Sequence, residues 1–179
     1  MATQLIASQT TNSPIAYLMK NYANYNLWAN TTLVNWLKPK PTVLLEQTVP
    51  SSFPSIKLTL LHIWQTERYW LSIIKKEEQQ TYDEFNGSID DIFKALLHTS
   101  AELAAYINTM TNTGVQDKTL IESPWFRCDF SNFEYIIHYA NHSTYHRGQV
   151  TSIGRGLGFT DAPMTDYNLY NIDGKEGEW

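Results

Sequence analysis

The chain has 179 residues, a length that one hydrophobic core commonly fills, so a single domain spanning 1–179 is predicted. With 42% hydrophobic and 17% charged residues, it has the composition of a globular protein and not that of a disordered or fibrous one. Its 18 acids against 13 bases give a formal charge of −5, which excludes the basic footprint of a phosphate-backbone binder, and no nucleic-acid partner is predicted.

The single Cys128 allows neither an internal disulfide nor a thiolate metal cluster, which fits a reducing compartment. Any metal therefore relies on His, Asp or Glu. The amino terminus has no basic n-region, and its apolar run Leu5–Ile6–Ala7 is too short for a signal-peptide core. No apolar stretch approaches the roughly 20 residues of a membrane span, so no membrane association and a cytoplasmic location are expected. Aromatic residues are abundant, with 6 Trp, 11 Tyr and 7 Phe.

Four segments carry a helical period. The first starts at Ser13, an N-cap followed by Pro14, and runs to about Trp36; Leu18, Tyr22, Tyr25, Ala29, Leu33 and Trp36 are read as its buried stripe. The second runs from Pro54 or Ser55 to about Lys76, with Ile56, Leu60, Ile63, Trp70 and Ile74 in phase. The third starts at the cap Ser88, carries Ile89, Ile92, Phe93, Leu96, Leu103 and Ile107, and ends near Asn108. Between it and the fourth, Lys118 to Phe130 reads as a short hairpin or an irregular loop. The fourth segment starts at Ser131 or Asn132 and reaches about Gly154, before Gly156 and Gly158. The tail with Pro163, Asp166, Tyr167 and Tyr170 is aromatic enough to pack on the body. The expected fold is all-α, a four-helix bundle whose long links leave room for a crossover connection.

The fourth segment places His138, His142 and His146 at successive i, i+4 positions. All three cannot share one ion, because eight residues rise about 12 Å along a helix, whereas ligands at about 2.1 Å from a metal lie roughly 3 to 4 Å apart. Tyr135, Tyr139, Val150 and Ile153 form a stripe centred close to His146, with His142 beside it and His138 about 80° away at 100° per residue. The pair His142 and His146 is therefore favoured. Phe133, Ile136, Ile137 and Ala140 make a second apolar stripe, which fits a central helix or a dimer face. A third ligand has to come from another helix. His62 can point inward beside Leu58, Thr66, Tyr69 and Ile73, while His98 falls off its helix's apolar stripe and is expected at the surface. The same histidines also fit a hydrogen-bonded core without metal. Three ligands with an open position would describe a catalytic centre.

Glu67 falls in the middle of an apolar face, where a carboxylate is costly without a partner. Two roles follow: a buried ion pair with Arg147, or a group supporting the metal centre as an outer ligand partner or general base. Tyr25 is read as core aromatic in preference to a pocket hydroxyl.

YNLWAN (Tyr25 to Asn30), LHIWQTERYWL (Leu61 to Leu71), NHSTYHRGQV (Asn141 to Val150) and DAPMTDYNLY (Asp161 to Tyr170) resemble, in order, the DinB-like (DinB and YfiT-like) superfamily of metalloenzymes. The family's pattern of one His from the second helix and an H-x-x-x-H pair from the fourth falls on His62, His142 and His146, and assigns His138 no ligand role. The resemblance implies a four-helix bundle with a crossover, a nickel or zinc site near its end, and a homodimer. It implies either thiol-dependent transfer or isomerisation with a low-molecular-weight thiol, or metal-dependent hydrolysis of a small-molecule substrate. The family name refers to damage-inducible expression and not to DNA chemistry. The leading expectation is a metal-dependent enzyme whose ion activates water or a small thiol. The alternative is a non-catalytic metal-binding or stress-response bundle. Tyr25, Trp28, Tyr69, Trp70, Tyr135, Tyr139 and Tyr145 lie within or beside the segments that carry these histidines, so part of the aromatic surplus is expected to wall the metal pocket and a dimer face.

Overall fold

The computed structural model describes residues 13–78, 84–123 and 126–175; the apolar run at residues 5–7 and Trp125 lie outside them. The elements are α1 (Pro14–Leu37), α2 (Thr42–Leu45), α3 (Ile56–Lys75), α4 (Ile89–Thr109), β1 (Lys118–Glu122), β2 (Arg127–Ser131), α5 (Asn132–Gly156), α6 (Tyr167–Leu169) and a π-helical turn at Tyr170–Gly174. The four long helices, α1, α3, α4 and α5, follow the periodic segments of the sequence.

Helix starts are set by local chemistry. The Ser13 hydroxyl accepts from the Ala16 amide at 3.2 Å, with Pro14 at the first helical position. Ser55 accepts from Leu58 at 3.1 Å. Ser88 and Asp91 form a reciprocal capping box on α4. Each bond satisfies an amide that the first turn leaves unpaired. The α3 helix ends as Lys76 turns left-handed at φ 58°.

Helix α1 packs on α4 and α5, and α3 packs on the same two. Every long helix thus has two long neighbours, and all four faces converge on a common interior. The hydrophobic core falls into two large clusters. One gathers Met19, Trp70, Leu103, Ile107, Tyr135 and Tyr139. The other gathers Leu33, Leu37, Leu60, Ile63, Leu96 and Val150. A buried polar layer lies among them, made of Asn26 and Asn30 from α1, Glu67 from α3, Ser100 from α4, and Ser143 and Arg147 from α5.

That layer corrects the phase expected for α1. Leu18, assigned to the buried stripe, is 41% exposed, while Met19, Ala23, Asn26 and Asn30 face inward. Two asparagines on the inner face shift its centre away from the position that apolar residues alone suggest. The second apolar stripe of α5 is absorbed by the molecule itself, with Ile136 and Ala140 in the core and Phe133 and Ile137 packed against it.

Strands β1 and β2 pair as an antiparallel hairpin, with Leu120 opposite Asp129 and Ile121 opposite Cys128, so the described residues are mostly helical with one two-stranded element. Its register is held by Tyr135, whose hydroxyl donates to the Thr119 carbonyl at 2.7 Å and accepts from the Phe130 amide at 3.1 Å. The carboxy-terminal segment packs on α1 as its aromatic content suggests. Tyr167 and Tyr170 meet Tyr25 at 5.3 and 5.9 Å between ring centroids, and Asp161 accepts from Trp36 Nε1 at 2.9 Å and from Lys40 at 2.7 Å. Gly154 admits this approach, because a Cβ there would lie 2.6 Å from the Trp36 ring. No described helix is long and apolar enough to cross a membrane.

Candidate metal centre

Helix periodicity carries His142 and His146 to one side of α5, one turn apart, where α3 presents His62. The three imidazoles converge. His142 Nε2 lies 3.1 Å from His62 Nε2 and 3.1 Å from His146 Nε2, and one nitrogen from each ring falls within 4.8 Å of the others. The two 3.1 Å spacings match those between ligands of one ion, about 3 to 3.5 Å apart for metal–nitrogen bonds near 2.1 Å. The three rings brought together are those of His62, His142 and His146, the histidines that the sequence singles out as candidate ligands.

The donor chemistry fits a cation. A neutral imidazole nitrogen carries either one hydrogen or one lone pair, so His142 Nε2 cannot form a full hydrogen bond with both neighbours at once. Three lone pairs aimed at a common point can all be satisfied by an ion there. The protonated alternative is suppressed: burial, then the neighbouring His146, pushes His62 down to about 4, and burial with the three surrounding histidines does the same for His142. Both rings are therefore neutral at pH 7 and able to donate lone pairs.

Surrounding groups orient these rings. Gln149, one turn beyond His146, places its side-chain oxygen 2.7 Å from His146 Nδ1, which fixes the proton on Nδ1 and turns the Nε2 lone pair toward the centre. Phe53, from the loop before α3, stacks on His62 with centroids 4.1 Å apart and planes 21° from parallel. Tyr145 meets His146 edge-on at 5.0 Å. Neither Gln149 nor Phe53 was singled out from sequence. The H-x-x-Q spacing carries the signal for Gln149, whereas Phe53 reaches the site only through the path of its loop.

The remaining histidines stand apart. His138 is exposed and packs edge-on to Trp70 at 4.8 Å, with its centroid 6.1 Å from that of His142. His98 faces solvent.

Glu67 is fully buried and accepts four hydrogen bonds: from Asn26 Nδ2 at 2.6 Å, Asn30 Nδ2 at 2.8 Å, Ser100 Oγ at 2.6 Å and Ser143 Oγ at 3.1 Å. The direct ion pair with Arg147 is not formed. Arg147 donates instead to the side-chain oxygens of Asn26 and Asn30 at 2.8 and 2.9 Å, and to Thr144 and the Tyr25 hydroxyl at 2.7 and 3.2 Å. Each carboxamide thus bridges carboxylate and guanidinium. Burial raises the Glu67 pKa, while the bonds from Ser100, Asn26 and Asn30, with the charge of Arg147, pull it back. None of the four bonds reaches a histidine. Ser143 and Arg147 follow His142 and His146 directly in sequence, so the layer and the histidine cluster share one stretch of α5. Tyr25 is core as expected, its hydroxyl donating to the Thr165 carbonyl at 2.9 Å.

Beside the cluster, a groove of about 740 Å³ is lined by Gln47, Ser51, Tyr145, Gly148, Gln149 and Ile153. A Cβ on Gly148 would meet nothing within 4 Å, so this glycine keeps the groove wide. Of the aromatic residues expected at the site, Tyr145 reaches a cluster histidine, whereas Trp70 meets His138, and Tyr25 and Trp28 pack against Tyr170 of the tail.

Protein DinB of Bacillus subtilis (strain 168) is 28% identical over 165 residues, covering 82% of this chain and 89% of the relative. Residues 8–176 match the DinB family profile, and the chain belongs to that family.

Proposed function

We propose that this protein is a metal-dependent enzyme in which His62, His142 and His146 hold a nickel or zinc ion. The convergence of three Nε2 atoms, two pairs of them 3.1 Å apart, is the observation that carries the reading. Three protein ligands leave a coordination position open, as in catalytic sites. When bound, the ion supplies Lewis acidity that lowers the pKa of a water or thiol, serving a hydrolase or a low-molecular-weight thiol transferase.

The chain's own residues prepare that position. Gln149 sets the tautomer of His146, and Phe53 holds the plane of His62. Glu67 acts as a positioning group: through Ser143 it ties α5 to α3 and keeps the facing histidines in register. The groove beside His146 offers amide and hydroxyl groups from Gln47, Ser51 and Gln149 to a small polar substrate. We read the finer architecture as a bundle with a crossover connection, supported by the way consecutive long helices α1 and α3 share α4 and α5 as neighbours. We read the assembly as a homodimer formed through Ile15 and Leu18 of α1, each 41% exposed, in a reducing cytoplasm compatible with the free Cys128.

Full-length protein purified without a nickel column tests the reading. About one equivalent of metal per chain, with turnover of thiol–electrophile conjugation or ester hydrolysis that stops on chelation and returns with nickel or zinc, is the expected result. A metal-loaded protein inactive in both assays would favour the non-catalytic alternative, and less than about a tenth of an equivalent would remove both.

A further inference from the structure

The hairpin and the amino-terminal turns of α5 enclose a second pocket, of about 450 Å³, apart from the groove beside His146. Its walls are aromatic: Trp70 from α3, Phe126 and Phe130 from the hairpin segment, and Tyr135 from α5. Trp70 and Tyr135 stack with centroids 5.3 Å apart and planes 23° from parallel, and Phe130 leans on Tyr135 at 6.1 Å. Phe126 and Phe130 nevertheless remain 42% and 53% exposed, so part of their surface is held open toward the pocket and solvent.

The electrostatics of the lining have one sign. Glu134 contributes a carboxylate, and among the described residues no Lys or Arg lines the pocket. The basic residues of the hairpin are engaged with acids, Arg127 with Glu122 at 2.8 Å and Lys118 with Asp129 at 3.8 Å. The Tyr135 hydroxyl already serves the Thr119 carbonyl and the Phe130 amide, so it is not free to donate to an anion. Aromatic faces carry negative potential and attract cations within about 6 Å of the ring centre. A carboxylate beside several such rings favours a positive ligand over an uncharged one of equal shape.

From this lining we infer a binding site for a small organic cation, an alkyl- or arylammonium, with its charged head beside Glu134 and the exposed rings of Phe126 and Phe130, on the floor made by the Trp70–Tyr135 stack. His138 borders the pocket, and its ring lies 6.1 Å from that of His142, so an occupant lies beside the histidine cluster. The inference requires no metal there.

Cys128 supplies the assay, because it lines the pocket and is the only cysteine in the chain. Its alkylation by iodoacetamide, followed by mass spectrometry on the full chain, is measured against increasing benzyltrimethylammonium and against neopentylbenzene, the uncharged carbon isostere. The cation is expected to slow alkylation at least about fivefold at saturation, and the isostere less at equal free concentration. Glu134→Gln is expected to weaken the cation about tenfold without changing zinc stoichiometry or the thermal midpoint. Phe130→Ala, on the exposed strand, is expected to weaken it with the fold intact. Equal protection by the isostere, or an unchanged cation affinity in Glu134→Gln, would overturn the assignment of charge, and protection by neither compound would overturn the site. Because metal content is read separately, failure here is distinguishable from failure of the metal centre.

Discussion

Glu67 and Arg147 belong to one fully buried layer without touching, because Asn26 and Asn30 each donate to the carboxylate and accept from the guanidinium. A carboxamide is suited to this bridge, since its two ends present opposite hydrogen-bonding character. The arrangement separates two charges that a low-dielectric interior would leave costly if unpaired, and it joins α1, α3 and α5 at one level.

Removing one end of that bridge leaves the other charge buried and unmatched. Glu67→Ala and Arg147→Met are each expected to lower unfolding free energy by about 3 to 5 kcal/mol. Glu67→Gln is expected to cost less, about 1 to 3 kcal/mol, because an amide NH2 replaces an acceptor facing donor groups. Urea unfolding would measure all three, and the Glu67→Ala/Arg147→Met double variant should cost less than the sum of the singles. Additive losses would mean that the bridge does not couple the two charges.

The histidine assignments predict a discriminating pattern. His62→Ala, His142→Ala and His146→Ala should each lose metal from the purified chain, while His138→Ala retains about one equivalent. Elemental analysis decides, and loss of metal in His138→Ala with retention in His62→Ala would reverse the ligand assignment.

Gln149 offers a graded test, since it touches a proposed ligand without being one. Gln149→Leu should weaken zinc binding about 10- to 100-fold while stoichiometry at saturation stays near one. Competition with a chromophoric chelator reads the affinity directly. An unchanged affinity would show that the contact with His146 Nδ1 does not tune the site.

The Asp161 contact predicts a pH response of the carboxy-terminal segment. Hydrogen bonds from Lys40 and Trp36 pull the Asp161 carboxyl from 3.8 to about 2. A carboxyl depressed by folding contributes stability above its unfolded pKa, and that contribution disappears as pH falls through the folded value. Asp161→Asn should therefore be less stable than the natural chain above about pH 4, with the gap closing toward pH 2. Thermal unfolding across that range, with Trp36 fluorescence as the local probe, tests the sign.

Local features were legible along the chain because they depend on neighbours a few residues apart. Ser13, Ser55 and Ser88 cap the helices they were expected to start, and the apolar periods of α3 and α4 match their buried faces. His142 and His146 could be paired from i, i+4 spacing, since a regular helix converts sequence distance into position.

Packing decided the rest. Leu18 was misplaced because Asn26 and Asn30 turn inward, and their inward face is tolerated only because Glu67, Ser100 and Arg147 arrive from three other helices to satisfy them. Phe53 stacks on His62 only because the preceding loop brings it there. The pocket at Trp70 and Glu134 exists only once the hairpin closes over α5. Partners distant in sequence meet through the assembled backbone, and no single segment's periodicity encodes that meeting.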